Sequence, residues 1–127
     1  MSYAISKTVS TDMAAAEARV REELQKEGFG VLTEIDMQAT LKKKLDADIR
    51  PYKILGACNP PFALKSLQAE DYIGLMLPCN VLLQQRDGGV EVSAIDPVAS
   101  MMAVKNPQLE ATAGEVREKL RRVIAAL

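Results

Sequence analysis

The sequence predicts an α+β domain, an antiparallel sheet in the order β-α-β(4)-α with amphipathic helices packed on one of its faces. Three features carry that expectation. Short segments alternate in polarity with the period of a strand, as in Val31-Leu32-Thr33-Glu34-Ile35-Asp36-Met37. Two longer segments repeat apolar residues every three or four positions behind helix-capping residues. Asp87-Gly88-Gly89, between two strand-like runs, is a hairpin signal and so implies antiparallel pairing. At 127 residues the chain has the usual size of one domain, and no repeat, low-complexity tract or linker divides residues 1–127.

Taken in order, residues 3–9 read as a strand with Tyr3, Ile5 and Val9 on one side. Lys7 interrupts that side and marks an edge strand. Ser10 or Thr11 is expected to cap the next helix, with Asp12 in its first turn. Met13, Ala16, Val20 and Leu24 form its apolar stripe, Glu17–Arg21 and Glu22–Lys26 are spaced to pair on its solvated face, and Gly28 ends it. The strand Val31–Met37 leads to a short helix containing Leu41 and Leu45, with Lys42, Lys43 and Lys44 as its solvated face. Residues 52–58 form a strand. Asn59 then caps a helix that Pro60 opens, running to about Ala69 with Phe62, Leu64 and Leu67. A loop covers Tyr72 to Pro78. Asn80–Arg86 and Val90–Asp96 flank the hairpin turn, and Asp96-Pro97 closes the second strand. The last helix is capped by Asn106 and opened by Pro107. Its seam of Leu109, Ala113, Val116, Leu120, Val123 and Leu127 steps by 4, 3, 4, 3 and 4. Gly114 weakens it by ~1 kcal/mol relative to alanine.

Composition narrows the function. With 16 basic and 17 acidic residues the chain lacks the positive face that nucleic-acid binding requires, so no such partner is expected. It contains no histidine, which removes Ser-His-Asp and Cys-His catalysis. Aromatic residues are 4% and tryptophan is absent, so the core must be aliphatic. The N-terminus, Met1 to Lys7, has no signal pattern, and no apolar run approaches the ~18–20 residues that span a bilayer. A cytoplasmic location is therefore expected, with no membrane partner and with Cys58 and Cys79 reduced.

Chemistry concentrates in Gly56-Ala57-Cys58-Asn59-Pro60 and Leu77-Pro78-Cys79-Asn80. Cys58 precedes a helix N-terminus, where unpaired N–H groups and the helix dipole favour a thiolate. Against this, free cysteine commonly packs as a small buried hydrophobe. The pair is not a C-x-x-C motif, and two thiols make at most half of a zinc site, the rest falling to a second subunit. Met76, Met101 and Met102 could join them around a soft metal or serve as core filler. Glu34, Asp36, Asp71 and Asp96 lie near element ends, as acid–base carboxylates or as caps. Lys53 and Lys65 are the cations available to activate a thiol.

The two cysteine segments, with Ala63-Leu64, the run Ile73 to Val81, Glu34-Ile35-Asp36, Leu41, Lys44 and Asp96-Pro97, resemble the domain of unknown function 302 family over nearly the whole chain. The resemblance implies a curved antiparallel sheet similar to that of the TATA-box-binding protein, and a homodimer. It implies no activity and no cofactor.

The leading expectation is a homodimeric module that binds a small ligand, a soft metal or a sulfur species. Its candidate residues are Cys58, Asn59, Cys79, Asn80, Glu34, Asp36 and Asp96. The alternatives are a thiol-based redox or sulfur-transfer enzyme, and a structural or interaction domain with core cysteines.

Overall fold

The computed structural model describes residues 3–127; Met1 and Ser2, part of the N-terminal stretch read above, lie outside the described residues. Five strands, β1 (Ala4–Val9), β2 (Gly30–Asp36), β3 (Tyr52–Cys58), β4 (Cys79–Arg86) and β5 (Gly89–Ile95), form one antiparallel sheet in the order β1-β5-β4-β3-β2. Helix α1 (Met13–Lys26) follows β1 and α2 (Met37–Leu45) follows β2. Helix α3 (Pro60–Ala69), with a 3-10 turn at Asp71–Met76, joins β3 to β4. The short α4 (Pro97–Ser100) and the long α5 (Pro107–Ala125) end the fold.

Helices α1 and α5 bury the stripes that their spacing dictates. Ala16, Val20 and Leu24 of α1 and Val116, Leu120 and Val123 of α5 close on Leu55, Val81, Leu83 and Val92 of the sheet. Strand alternation delivers those sheet residues to the helix side and leaves Ser6, Asn80, Leu82 and Ser93 on the other. Lys7, the break in the inward side of β1, has a partner there. Its Nζ donates to the Ala125 carbonyl at 3.2 Å, and Arg19 Nη2 donates to the Ala126 carbonyl at 2.7 Å. Both cations sit at the negative end of the α5 dipole.

Several local expectations shift. The α1 cap is Asp12, whose Oδ1 accepts the Ala15 N–H at 2.8 Å, so neither Ser10 nor Thr11 fills that position. Lys26 pairs with Glu23 at 2.8 Å, one residue from the expected Glu22. The Tyr72–Pro78 segment is not wholly loop, because its first part winds into the 3-10 turn.

The largest change is in β2. A register shift between Val31 and Thr33 makes Leu32 an extra, unpaired residue. A bulge of this kind re-aims the side chains that follow it. Glu34 consequently turns to the helix side opposite Leu55, and Thr33 and Ile35 turn away from it. There Glu34 meets a ring of charges. Arg21 holds Glu17 at 2.9 Å and Glu34 at 2.7 Å, and Lys53 holds both carboxylates at 2.7 Å. Burial raises the Glu17 pKa, but its bonds and charge attraction to Lys53 and Arg21 outweigh that and leave it below the usual range. The hydrogen bonds to Glu17 and Glu34 raise that of Lys53. The ring ties α1 to the β2–β3 edge.

Candidate functional site

Antiparallel pairing of β3 with β4 sets Ala57 opposite Cys79, so the end of one strand lies beside the start of the other. The two cysteine segments thereby meet. Together with α3 and α5 they enclose a cavity of about 310 Å³. Ala57, Cys58 and Asn59 form one part of its wall; Leu77, Pro78 and Cys79 form another. Phe62 and Ala63 of α3, and Ala113 and Val116 of α5, close the sides, and Met101 contributes from beyond α4. Leu32, turned outward by the bulge and 68% exposed, stands at the rim with Leu67.

The interior is apolar in effect as well as in composition. Ser66 donates to the Phe62 carbonyl at 2.8 Å and Thr112 to the Gln108 carbonyl at 3.1 Å, both within their own helices. The Asn59 amide donates to the Glu27 carbonyl at 3.1 Å. Asn59 therefore occupies the α3 cap position without capping by its side chain; it ties the end of α1 to α3 instead. Each of these three side chains thus donates to the protein, and a ligand inside meets mainly carbon and sulfur.

The two thiols are free and differ in setting. Cys58 is half-buried. The helix after it begins Pro60-Pro61, neither of which has an N–H, and the Ala63 N–H is taken by the Asn59 carbonyl at 2.9 Å. Only Phe62 is left to offer an anion the donor expected of a helix start. Cys79 is 8% exposed. Burial, with the neighbouring Cys58 adding to it, pushes its thiol from an ordinary 9.0 up to about 11.

The folded protein therefore holds the Cys79 proton more tightly than the unfolded chain does. The associated stability is complete below about pH 9 and is lost as pH rises toward about 11. Over that window the loss is on the order of 2 kcal/mol. Urea unfolding at a series of pH values should show it as a steeper alkaline decline in the native protein than in Cys79→Ala. Equal slopes in the two proteins would mean that Cys79 is not desolvated.

The remaining candidates stand elsewhere. Asn80 is exposed on the far face of the sheet. Glu34 belongs to the charge ring beneath α1, as does Lys53. Asp36 caps α2, accepting the Ala39 N–H at 2.9 Å, and Asp96 caps α4, accepting the Val98 N–H at 2.9 Å. Only Asp96 borders the cavity, through Pro97. Of the methionines, Met101 lines it, whereas Met102 is exposed. Among the described residues no three Cys, Asp or Glu side chains gather as a metal site. No described helix is long and apolar enough to cross a membrane.

The model of the family described as domain of unknown function DUF302 matches residues 5–127. The chain belongs to this family. A crystal structure of an uncharacterized conserved DUF302 protein from Bacillus stearothermophilus is similar over 99% of this chain and 98% of that one, with 28% sequence identity and a TM-score of 0.92. None of the curated proteins matches. The DUF302 fold is thus shared in full, sheet and helices together, with both cysteine segments inside the matched region.

Proposed function

We propose that this DUF302 chain is a cytoplasmic, homodimeric module that binds a small, largely apolar ligand in the cavity between the two cysteine segments. One observation carries the reading: the cavity joins both segments in a wall that is predominantly apolar, with the Ser66 and Thr112 hydroxyls and the Asn59 amide each donating to a protein carbonyl. Its size falls at the lower end of the range for small-molecule sites, and such sites are predominantly apolar. A thiol enzyme is less well supported, because Cys79 is held protonated and the α3 start is poor in donors. For pairing of two copies, the surface we favour is the sheet face turned from the helices, which presents Ile35 and Leu82 among polar residues.

The uncharged fluorescent probe N-phenyl-1-naphthylamine tests the site. It should bind saturably to the native protein, and Ala63→Phe, which puts a ring into the half-buried side of the cavity, should weaken it by about tenfold or more. Sedimentation equilibrium on the same samples should return a two-chain mass for both proteins. Binding unaffected by Ala63→Phe would place the probe elsewhere and remove the support for a cavity ligand.

A further inference from the structure

Phe62 is the one aromatic side chain shared between the cavity wall and a pair of ammonium groups. Lys65 Nζ lies 5.6 Å from its ring centroid and Lys119 Nζ 5.9 Å. Lys65 projects from α3 and has no carboxylate within ion-pairing distance among the described residues. Lys119 projects from α5, and its closest carboxylate, Glu27, stands at 3.9 Å and is already held by Arg122 at 2.9 Å. Two ammonium groups therefore flank the Phe62 ring, while Arg122, farther along α5, is paired with Glu27 and stands near Glu118. Lys65 has no ion-pair partner among the described residues, and Lys119 shares its one partner, Glu27, with Arg122.

The interior and this edge ask for different things. Inside, the Ser66 and Thr112 hydroxyls and one Asn59 amide hydrogen already donate to protein carbonyls and the rest of the wall is mainly apolar, so a polar head would lose most of its water without replacement, at a large cost. At the edge, the ammonium groups stay hydrated and can meet an anion that also stays hydrated. Leu32 and Leu67 continue the apolar surface out to the rim, which suits a chain that enters end-on. A wholly apolar ligand would use the cavity and leave the cations idle. A cationic amphiphile would meet repulsion from both lysines.

We propose that the ligand is an anionic amphiphile, its alkyl chain in the cavity and its carboxylate or phosphate head against Lys65 and Lys119. The inference rests on the cavity being a binding site, and it adds the class of molecule bound. Carboxylate and phosphate heads share the required charge, and the test distinguishes them.

The experiment is displacement of N-phenyl-1-naphthylamine from the full chain by four octyl compounds: octanoate, octyl phosphate, octanol and octyltrimethylammonium. The two anions should displace the probe at concentrations about tenfold below those of the cation, and below that of octanol. The Lys65→Gln/Lys119→Gln variant should lose most of that preference while its affinity for octanol stays unchanged. Raising the salt concentration should shrink the preference in the native protein. Stronger displacement by octyl phosphate than by octanoate would assign a phosphate head, and the reverse order a carboxylate. Octanol matching the anions, or an anion preference that survives in the double variant, would overturn the proposal while the cavity remained a binding site. Failure of all four compounds to displace a probe that Ala63→Phe also fails to weaken would instead bring down the cavity reading itself.

Discussion

Replacing Gly89 by alanine should destabilise the fold by about 3 kcal/mol or more, lowering Tm by roughly 10 °C. Gly89 opens β5 at φ +150°, a conformation that side chains rarely adopt. A Cβ there would stand 2.0 Å from the Val9 carbonyl oxygen and 2.9 Å from its carbon. Those atoms are backbone at the end of β1, and the same oxygen accepts the Thr11 N–H at 3.0 Å. Neither strand can yield without opening the β1–β5 ladder at Val9–Val90 or the turn that starts α1. Gly88, next in the turn at φ +85°, has nothing within 4 Å of its would-be Cβ. Gly88→Asn should therefore cost well under 1 kcal/mol, since asparagine tolerates the left-handed region. Calorimetry on the two variants separates crowding from backbone preference. A Gly89→Ala protein melting within 2–3 °C of the native one, roughly the effect of a minor surface change, would refute the close approach.

Much of this fold is legible in the sequence because it depends on local pattern. Strand β3 spans Tyr52–Cys58 and α5 starts at Pro107 behind its Asn106 cap, as alternation and capping require. The seam from Leu109 to Val123 is buried throughout. Departures occur where a distant partner decides. Ser10, Thr11 and Asp12 can all cap a helix, and the competition between them is settled by how the chain leaves β1. The Leu32 bulge leaves no mark on an alternating run, because the extra residue is defined only against β3. Lys7 does mark an edge strand, β1, but its partner at the α5 terminus is a tertiary fact.

The site is less legible for the same reason. Both cysteine segments stand out in the sequence, yet their meeting depends on the β3–β4 register, which no local feature sets. Asn59 reads as a cap, whereas the approach of the α1–β2 turn draws its amide to Glu27. Asp36 and Asp96 prove to be caps and Glu34 an ion partner, as short-range capping rules allow for the first two. Leu32, Thr112 and Lys119 carry no motif, and Ala63 enters only through the family resemblance. A signal for Lys119 exists only in part: its spacing places it beside the buried seam, but its proximity to Phe62 is a tertiary fact.

Gly56→Ala should cost about 2–3 kcal/mol and should also disturb the cavity. An alanine Cβ at this position would lie 2.2 Å from Thr33 Oγ1 and 2.7 Å from Pro78 Cγ. Glycine within a strand often marks such an approach by another part of the chain. Thr33 can rotate its hydroxyl away, but Pro78 is rigid and sits directly before Cys79 in the cavity wall. The strain therefore has two outlets, and a double-mutant cycle distinguishes them. Thr33→Ala removes the hydroxyl contact and should restore part of the lost stability in the Gly56→Ala background. It should not restore binding of N-phenyl-1-naphthylamine, because the displaced Pro78 still carries Cys79 with it. Full recovery of both properties by Thr33→Ala would mean that Pro78 never yielded. The Gly56 position would then matter to the sheet alone, and the cavity wall would be set by α3 and α5 without it.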